Sequence, residues 1–172
     1  LLANLMVGRD LTEQFPKTIG ELGEIALRVE GLALEGALED VSFELRQGEI
    51  LGIFGLMGAG QTEQAQVLFG LQEATAGRVL IGDKAVRLTQ PVQAIAHGVG
   101  FLPRDRRASL LPMQAIPANI TLANVSQFPI LKFLNLRQEV RTAEDYVRDL
   151  SIRPPLLDRP VSYLSGGNQQ KV

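Results

Sequence analysis

Gly55, Gly58, Gly60, Gln61 and Thr62 stand in a spacing that can hold a phosphate: Gly55, four residues, Gly60, one residue, Thr62. Glycines at these places let the backbone curl so that several N–H groups point at one anion. A helix beginning near Thr62 adds its positive N-terminal end, and the Thr62 hydroxyl is placed to ligand a magnesium ion. Gln61 occupies the position where such loops carry lysine. Its amide donates a hydrogen bond but brings no charge. The loop is therefore equipped to hold a nucleotide and poorly equipped to stabilise charge during phosphoryl transfer. A second constellation is Leu164-Ser165-Gly166-Gly167-Asn168-Gln169-Gln170-Lys171-Val172. Ser165 is placed as a helix cap, and Gly166 and Gly167 leave backbone N–H groups open at the helix start. Taken singly, each stretch also fits a Gly-rich turn with no ligand.

A third group is Arg104, Asp105 and Arg106, directly after the apolar stretch Gly98–Leu102. Ligand sites in open α/β sheets lie at strand C-terminal ends, which makes these residues candidates for the same site as the Gly55 loop. A solvated charged turn is the other reading. His97, the only histidine, falls at the end of a helix and is expected at the surface rather than in catalysis.

The elements that must position these groups read as an α/β pattern. The uncharged run Ile50–Phe54 predicts a buried strand leading into the Gly55 loop, and Gly98–Leu102 predicts a second one. Ile25, Leu27 and Val29 alternate with polar or small residues, as do Val41, Phe43 and Leu45, which predicts a small antiparallel sheet beside the loop. Thr62 to Phe69 predicts a helix stopped by Gly70. Residues 77–81 and 84–88 predict a hairpin turning at Gly82-Asp83. Thr89 is expected to cap a helix with Pro91 in its first turn, ending at Gly98. Helical periodicity follows over 116–125, with Ile116, Ile120 and Ala123 on one face. It returns over 138–150, with Val140, Tyr146, Val147 and Leu150 on another. Pro154, Pro155 and Pro160 mark turns. Residues 108–163 are thus expected to form a helical insert in the α/β pattern.

Composition bounds the partners. At 172 residues, with 45% hydrophobic and 21% charged, the chain has the make-up of a globular domain. A net charge of −2 excludes a broad basic surface, so nucleic acid is not an expected partner. The absence of cysteine excludes disulfides and thiolate metal sites. Residues 108–131 carry no charge, but Pro112, Pro117 and Pro129 would break the backbone bonding that lipid demands, so a protein-docking surface is expected there instead of a membrane helix. The N-terminus has no signal-peptide pattern. Residues 1–23 read as the end of a preceding domain and a linker, and 24–172 as one partial domain. With no initial methionine and a last helix of about a turn and a half, the chain is expected to be a piece of a longer protein.

Two anion-binding helix starts separated by a helical insert resemble the nucleotide-binding domain of ABC transporters, a P-loop NTPase fold. Leu164–Val172 resembles the family's signature motif. Asn168 followed by Gln-Gln-Lys-Val is similar to the ATP-binding subunits of bacterial sugar importers of the ribose, galactose and xylose type, which carry two such domains in tandem. Met6-Val-Gly-Arg9 with Phe15-Pro16 resembles the join after the first domain. Gly48–Gly52 with Gly55–Gly60 resembles the Walker A region of the second. Phe101–Pro103 with Asp105–Arg107 resembles its Q-loop, and Met113–Leu122, including Asn119, the segment after it.

This resemblance implies that Gly55, Gly58, Ala59, Gly60, Gln61, Thr62 and Glu63 line one nucleotide's phosphates, with Thr62 toward Mg2+. It implies that Ser165, Gly166, Gly167 and Asn168 reach ATP bound on an opposing domain, either the first domain of the same chain or a second copy. Permease subunits in the membrane, contacted around 104–125, and indirectly a periplasmic-type substrate-binding protein are the further implied partners, with the subunit at the cytoplasmic face. Three departures stand out. Gln61 replaces lysine, and Arg104 stands where the family has Gln or Glu. No aromatic lies between Val29 and Asp40 for adenine to stack on. They imply a weak site on this domain's own loop and an intact signature serving the partner's site, with the Walker B carboxylates and switch histidine beyond Val172 and no hydrolysis by the piece alone. A nucleoside importer, a soluble ABC ATPase and a non-binding structural partner remain as alternatives.

Overall fold

The structure, a computed structural model, describes residues 20–105, 109–127, 129–130 and 133–172. The chain divides into two compact units, one ending at Phe101 and the other running from Leu102 to Val172.

The first unit is built on alternation. β1 (Ile25–Leu34) and β2 (Leu38–Arg46) pair antiparallel, with Leu27 opposite Leu45, Val29 opposite Phe43 and Leu32 opposite Val41. A hairpin of β3 (Ala76–Ile81) and β4 (Lys84–Val86) adds to the other edge of β1, giving the order β2-β1-β3-β4. Between them lies α1 (Gln61–Leu68), and after them α2 (Pro91–Ala96). Val29, Leu32 and Val79 from the sheet, Val67 from α1 and Ala94 from α2 share one buried cluster with Leu38 and Leu88. Each fully buried aliphatic side chain of this kind contributes about 1.5–3 kcal/mol. Close approach of β1 and β3 depends on Gly77. A Cβ there would lie 2.4 Å from the Gly31 carbonyl oxygen.

The antiparallel sheet, the helix after the glycine loop and the hairpin at Gly82-Asp83 are where the sequence predicts them. Other expectations fail. Residues 50–54 form no strand, and Ile50 and Phe54 are almost fully exposed, at 98% and 97%. A continuous apolar strand is stable only with neighbours on both edges and cover on both faces, and no strand among the described residues pairs with this run. Gly98–Leu102 is likewise not a strand: Val99 packs against the cluster, Phe101 stacks on Phe69 at 5.1 Å, and Leu102 is exposed. Thr89 does not cap α2. Gln90 is the N-cap, in a reciprocal capping box with Gln93, and the Thr89 N–H and hydroxyl both donate to Gln93 Oε1. His97 is the exposed C-cap of this helix.

The second unit contains α3 (Ile116–Thr121), a 3-10 turn over Leu122–Gln127, a two-residue hairpin of β5 (Pro129–Ile130) and β6 (Phe133–Leu134), α4 (Leu136–Asp149) and α5 (Gly166–Gln169). Ile116, Val147, Ile152, Val161 and Leu164 form its core. Ala123 is not on the buried face with Ile116, because the helix tightens after Thr121 and the backbone is irregular at Asn124. The buried stripe of α4 is Glu139, Ala143 and Val147, at i, i+4 and i+8. Val140, Tyr146 and Leu150, expected inside with Val147, are exposed.

Glu139 can be buried because the Thr121 hydroxyl lies 2.6 Å from its Oε1. Asn119 is the other buried polar brace. Its Oδ1 accepts from the Leu111 N–H at 2.7 Å, and its Nδ2 is shared among the carbonyls of Leu111, Gln114 and Ala115 at 3.1–3.2 Å. At the C-terminal end of α4, hydrogen bonds to Asp145 and then Asp149 raise the pKa of the Arg148 guanidinium above its ordinary value. No helix among the described residues is long and apolar enough to cross a membrane.

Candidate functional site

Gly55, Gly58 and Ala59 lie on an exposed loop, and Gly60 is buried at its end as the N-cap of α1. Gly58 and Gly60 adopt left-handed backbone, φ 84° and 89°. Gly60 has a second requirement. A Cβ there would lie 2.7 Å from both the Ala37 carbonyl oxygen and Leu38 Cδ2, so the β1–β2 turn presses directly on the loop. The helix start is uncapped by any side chain. The first helical acceptor, the Gly60 carbonyl, takes the Gln64 N–H at 2.8 Å. The N–H groups of Gln61, Thr62 and Glu63 consequently have no partner within the helix. Those donors, the positive end of α1 and the exposed Thr62 hydroxyl fit a phosphate and its magnesium ion. Gln61 folds back over the loop, with Nε2 2.5 Å from where a Gly55 Cβ would sit. Gly55 thus makes room for the Gln61 amide, which lies on the loop as its neutral donor.

The second constellation is organised by side chains. Ser165 is the N-cap of α5, as its sequence position predicts, but its hydroxyl does not cap the helix. Ser165 Oγ instead accepts from Asn168 Nδ2 at 3.0 Å, and Asn168 Oδ1 accepts from the Arg153 N–H at 2.9 Å. Gln169 Nε2 donates to the carbonyls of Val161 and Leu164, at 3.3 and 3.1 Å. Lys171 Nζ donates to the Ser151 carbonyl at 3.0 Å. A one-turn helix cannot hold its own geometry, and these side chains fix it to the backbone of the segments before it, at 151–153 and 161–164. Gln169 and Lys171 stand in the stretch that the sequence singles out, but their hold on neighbouring backbone was not legible, and Arg153 was not legible as part of the arrangement at all; polar side chains directly after a Gly-Gly helix start were the available signal.

Arg104 and Asp105 are exposed on a bend at the start of the second unit, and Arg106 lies outside the described residues, as does the join at Met6–Arg9 with Phe15-Pro16. No group of three or more His, Asp or Glu side chains able to hold a metal occurs among the described residues.

Residues 38–172 match the protein family described as ABC transporter. The chain belongs to the ABC transporter family. Its relatives include the putative ribose/galactose/methyl galactoside import ATP-binding protein 1 of Burkholderia ambifaria, 44% identical over 97% of this chain and 33% of that protein. The ribose import ATP-binding protein RbsA 3 of Rubrobacter xylanophilus is also 44% identical, over 99% of this chain and 34% of that protein. The chain therefore spans about a third of the length of the curated relatives it matches. Among solved structures, the ABC cassette cbiO1 of Clostridium perfringens superposes with a TM-score of 0.67 at 19% identity, covering 86% of this chain and 59% of that one. The cassette MJ0796, in a dimeric post-hydrolysis state bound to ADP and Pi, superposes with a TM-score of 0.66 at 18% identity, covering 84% and 66%. The fold is that of the ABC ATPase cassette, a P-loop NTPase.

Proposed function

We propose that this chain is the second nucleotide-binding domain, in part, of an ABC importer ATPase that couples ATP to uptake of a monosaccharide such as ribose or galactose. The observation that carries the reading is the 44% identity to sugar-import ATP-binding proteins along nearly the whole chain. The paired arrangements at Gly55–Glu63 and Ser165–Asn168 support it chemically.

In this reading the N–H groups of Gln61, Thr62 and Glu63 bind the phosphates of one ATP, and the Thr62 hydroxyl faces its Mg2+. The bound ion would neutralise phosphate charge there. Gln61 adds an amide donor where a cation would stabilise transferring charge, and Arg104 cannot accept a proton from water. The domain's own loop therefore holds nucleotide without efficient turnover. Ser165, Gly166 and Gly167 complete the site on an opposing nucleotide-binding domain; the cassette MJ0796, of like fold, is dimeric. Membrane permease subunits at the cytoplasmic face are the remaining partners.

The test is nucleotide binding by the full-length protein with the Walker lysine of its other domain replaced. Retained MgATP binding that Gly60→Val abolishes supports a holding loop. No binding at millimolar ATP overturns that role and leaves the domain as the donor of Ser165–Gly167 alone.

A further inference from the structure

Ser at a helix N-cap ordinarily accepts a hydrogen bond from a backbone N–H of the first turn. Ser165 does not. Its oxygen is occupied by Asn168 Nδ2 instead, at 3.0 Å. Which way the Asn168 amide faces is fixed chemically. The Arg153 backbone N–H, 2.9 Å away, can only donate, so the atom it meets must be the carbonyl oxygen, and the NH2 must face Ser165. A serine hydroxyl has one hydrogen and two lone pairs. With one lone pair engaged by Asn168, the hydroxyl hydrogen is left to donate, on an exposed side chain.

We propose that Asn168 is a positioning residue that sets Ser165 as a hydrogen-bond donor to a nucleotide phosphate. The inference rests on Ser165 reaching such a phosphate. In this role Asn168 acts through Ser165, since its amide oxygen and nitrogen are both engaged within the protein. It anchors Ser165 to the Arg153 backbone just past α4, and Lys171 grips the same loop through the Ser151 carbonyl at 3.0 Å. The Ser165 hydroxyl and its own single turn are thereby tied together to the end of a fourteen-residue helix.

The experiment is a double-mutant cycle on MgATP hydrolysis by the full-length protein assembled with its membrane partner. Ser165→Ala and Asn168→Ala are made singly and together. Asn168→Ala is expected to lower kcat about tenfold with KM for MgATP within about twofold, and to cost nothing further in the Ser165→Ala background. Multiplying effects in the double variant overturn the positioning role while leaving Ser165 as a phosphate contact. Native turnover by Ser165→Ala overturns the phosphate contact itself and the positioning role with it. Asn168→Asp covers the case in which the alanine variant does not fold. It keeps the acceptor for the Arg153 N–H and lacks the donor to Ser165. It should melt with the native protein and lose at least as much kcat, and native turnover by this variant overturns the inference.

Discussion

The two glycine-bearing stretches of this chain look alike in sequence and are built by opposite means. The Gly55–Glu63 loop is a backbone construction. Its donors are N–H groups, its shape comes from left-handed Gly58 and Gly60, and its position comes from contact with the β1–β2 turn. The Ser165–Lys171 segment is a side-chain construction, in which Asn168, Gln169 and Lys171 each hold a backbone group outside the helix. A backbone site is damaged by adding atoms. A side-chain site is damaged by removing them.

That contrast can be broken at three places, and the buried Thr121–Glu139 brace gives a side-chain reference between them, in falling order of effect. Gly60→Val in the full-length protein should lower local stability around the loop by more than about 3 kcal/mol, since a branched side chain meets both left-handed backbone and the Ala37 carbonyl. Hydrogen exchange over 64–69, where the helical amides are bonded, should speed up by at least about a hundredfold. Thr121→Val should cost the second unit about 2 kcal/mol by leaving buried Glu139 without its partner, read as faster exchange in α3 and α4. An unchanged rate would mean that the brace contributes nothing. Gln169→Ala should cost about 1–2 kcal/mol, localised to 161–169, because the Leu164 carbonyl loses its donor and the Val161 carbonyl keeps only the Leu164 N–H. Gln61→Ala should change stability by less than about 0.5 kcal/mol, its side chain lying on the loop rather than holding it. A larger loss at Gln61 than at Gln169 would reverse the comparison.

What could be read from the sequence was local pattern. Alternation at Ile25–Val29 and Val41–Leu45, the Gly82-Asp83 turn and the start of α1 each depend on a few neighbouring residues. What could not be read depends on distant partners. Ile50–Phe54 has the composition of a buried strand, but composition does not supply the flanking strands that bury one. Apolar periodicity placed Val140, Tyr146 and Leu150 inside α4; the face actually buried includes Glu139, whose burial depends on a hydroxyl eighteen residues earlier. Ser165 was placed correctly at a helix start, but the use of its hydroxyl was set by Asn168 and, through it, by Arg153.

The pressure of the β1–β2 turn on Gly60 has an evolutionary consequence. Surface hairpin turns are usually where chains gain and lose residues. The turn at 35–37 does not have that freedom, because a displaced Ala37 carbonyl would remove the stop against which the loop is set. Gly82, at the tip of the β3–β4 turn, has open space around it, as Gly36 has; what separates the two turns is the Ala37 carbonyl set against Gly60. Length variation among relatives should therefore gather at 82–83 and spare 35–37, so that two hairpins of one sheet age at different rates.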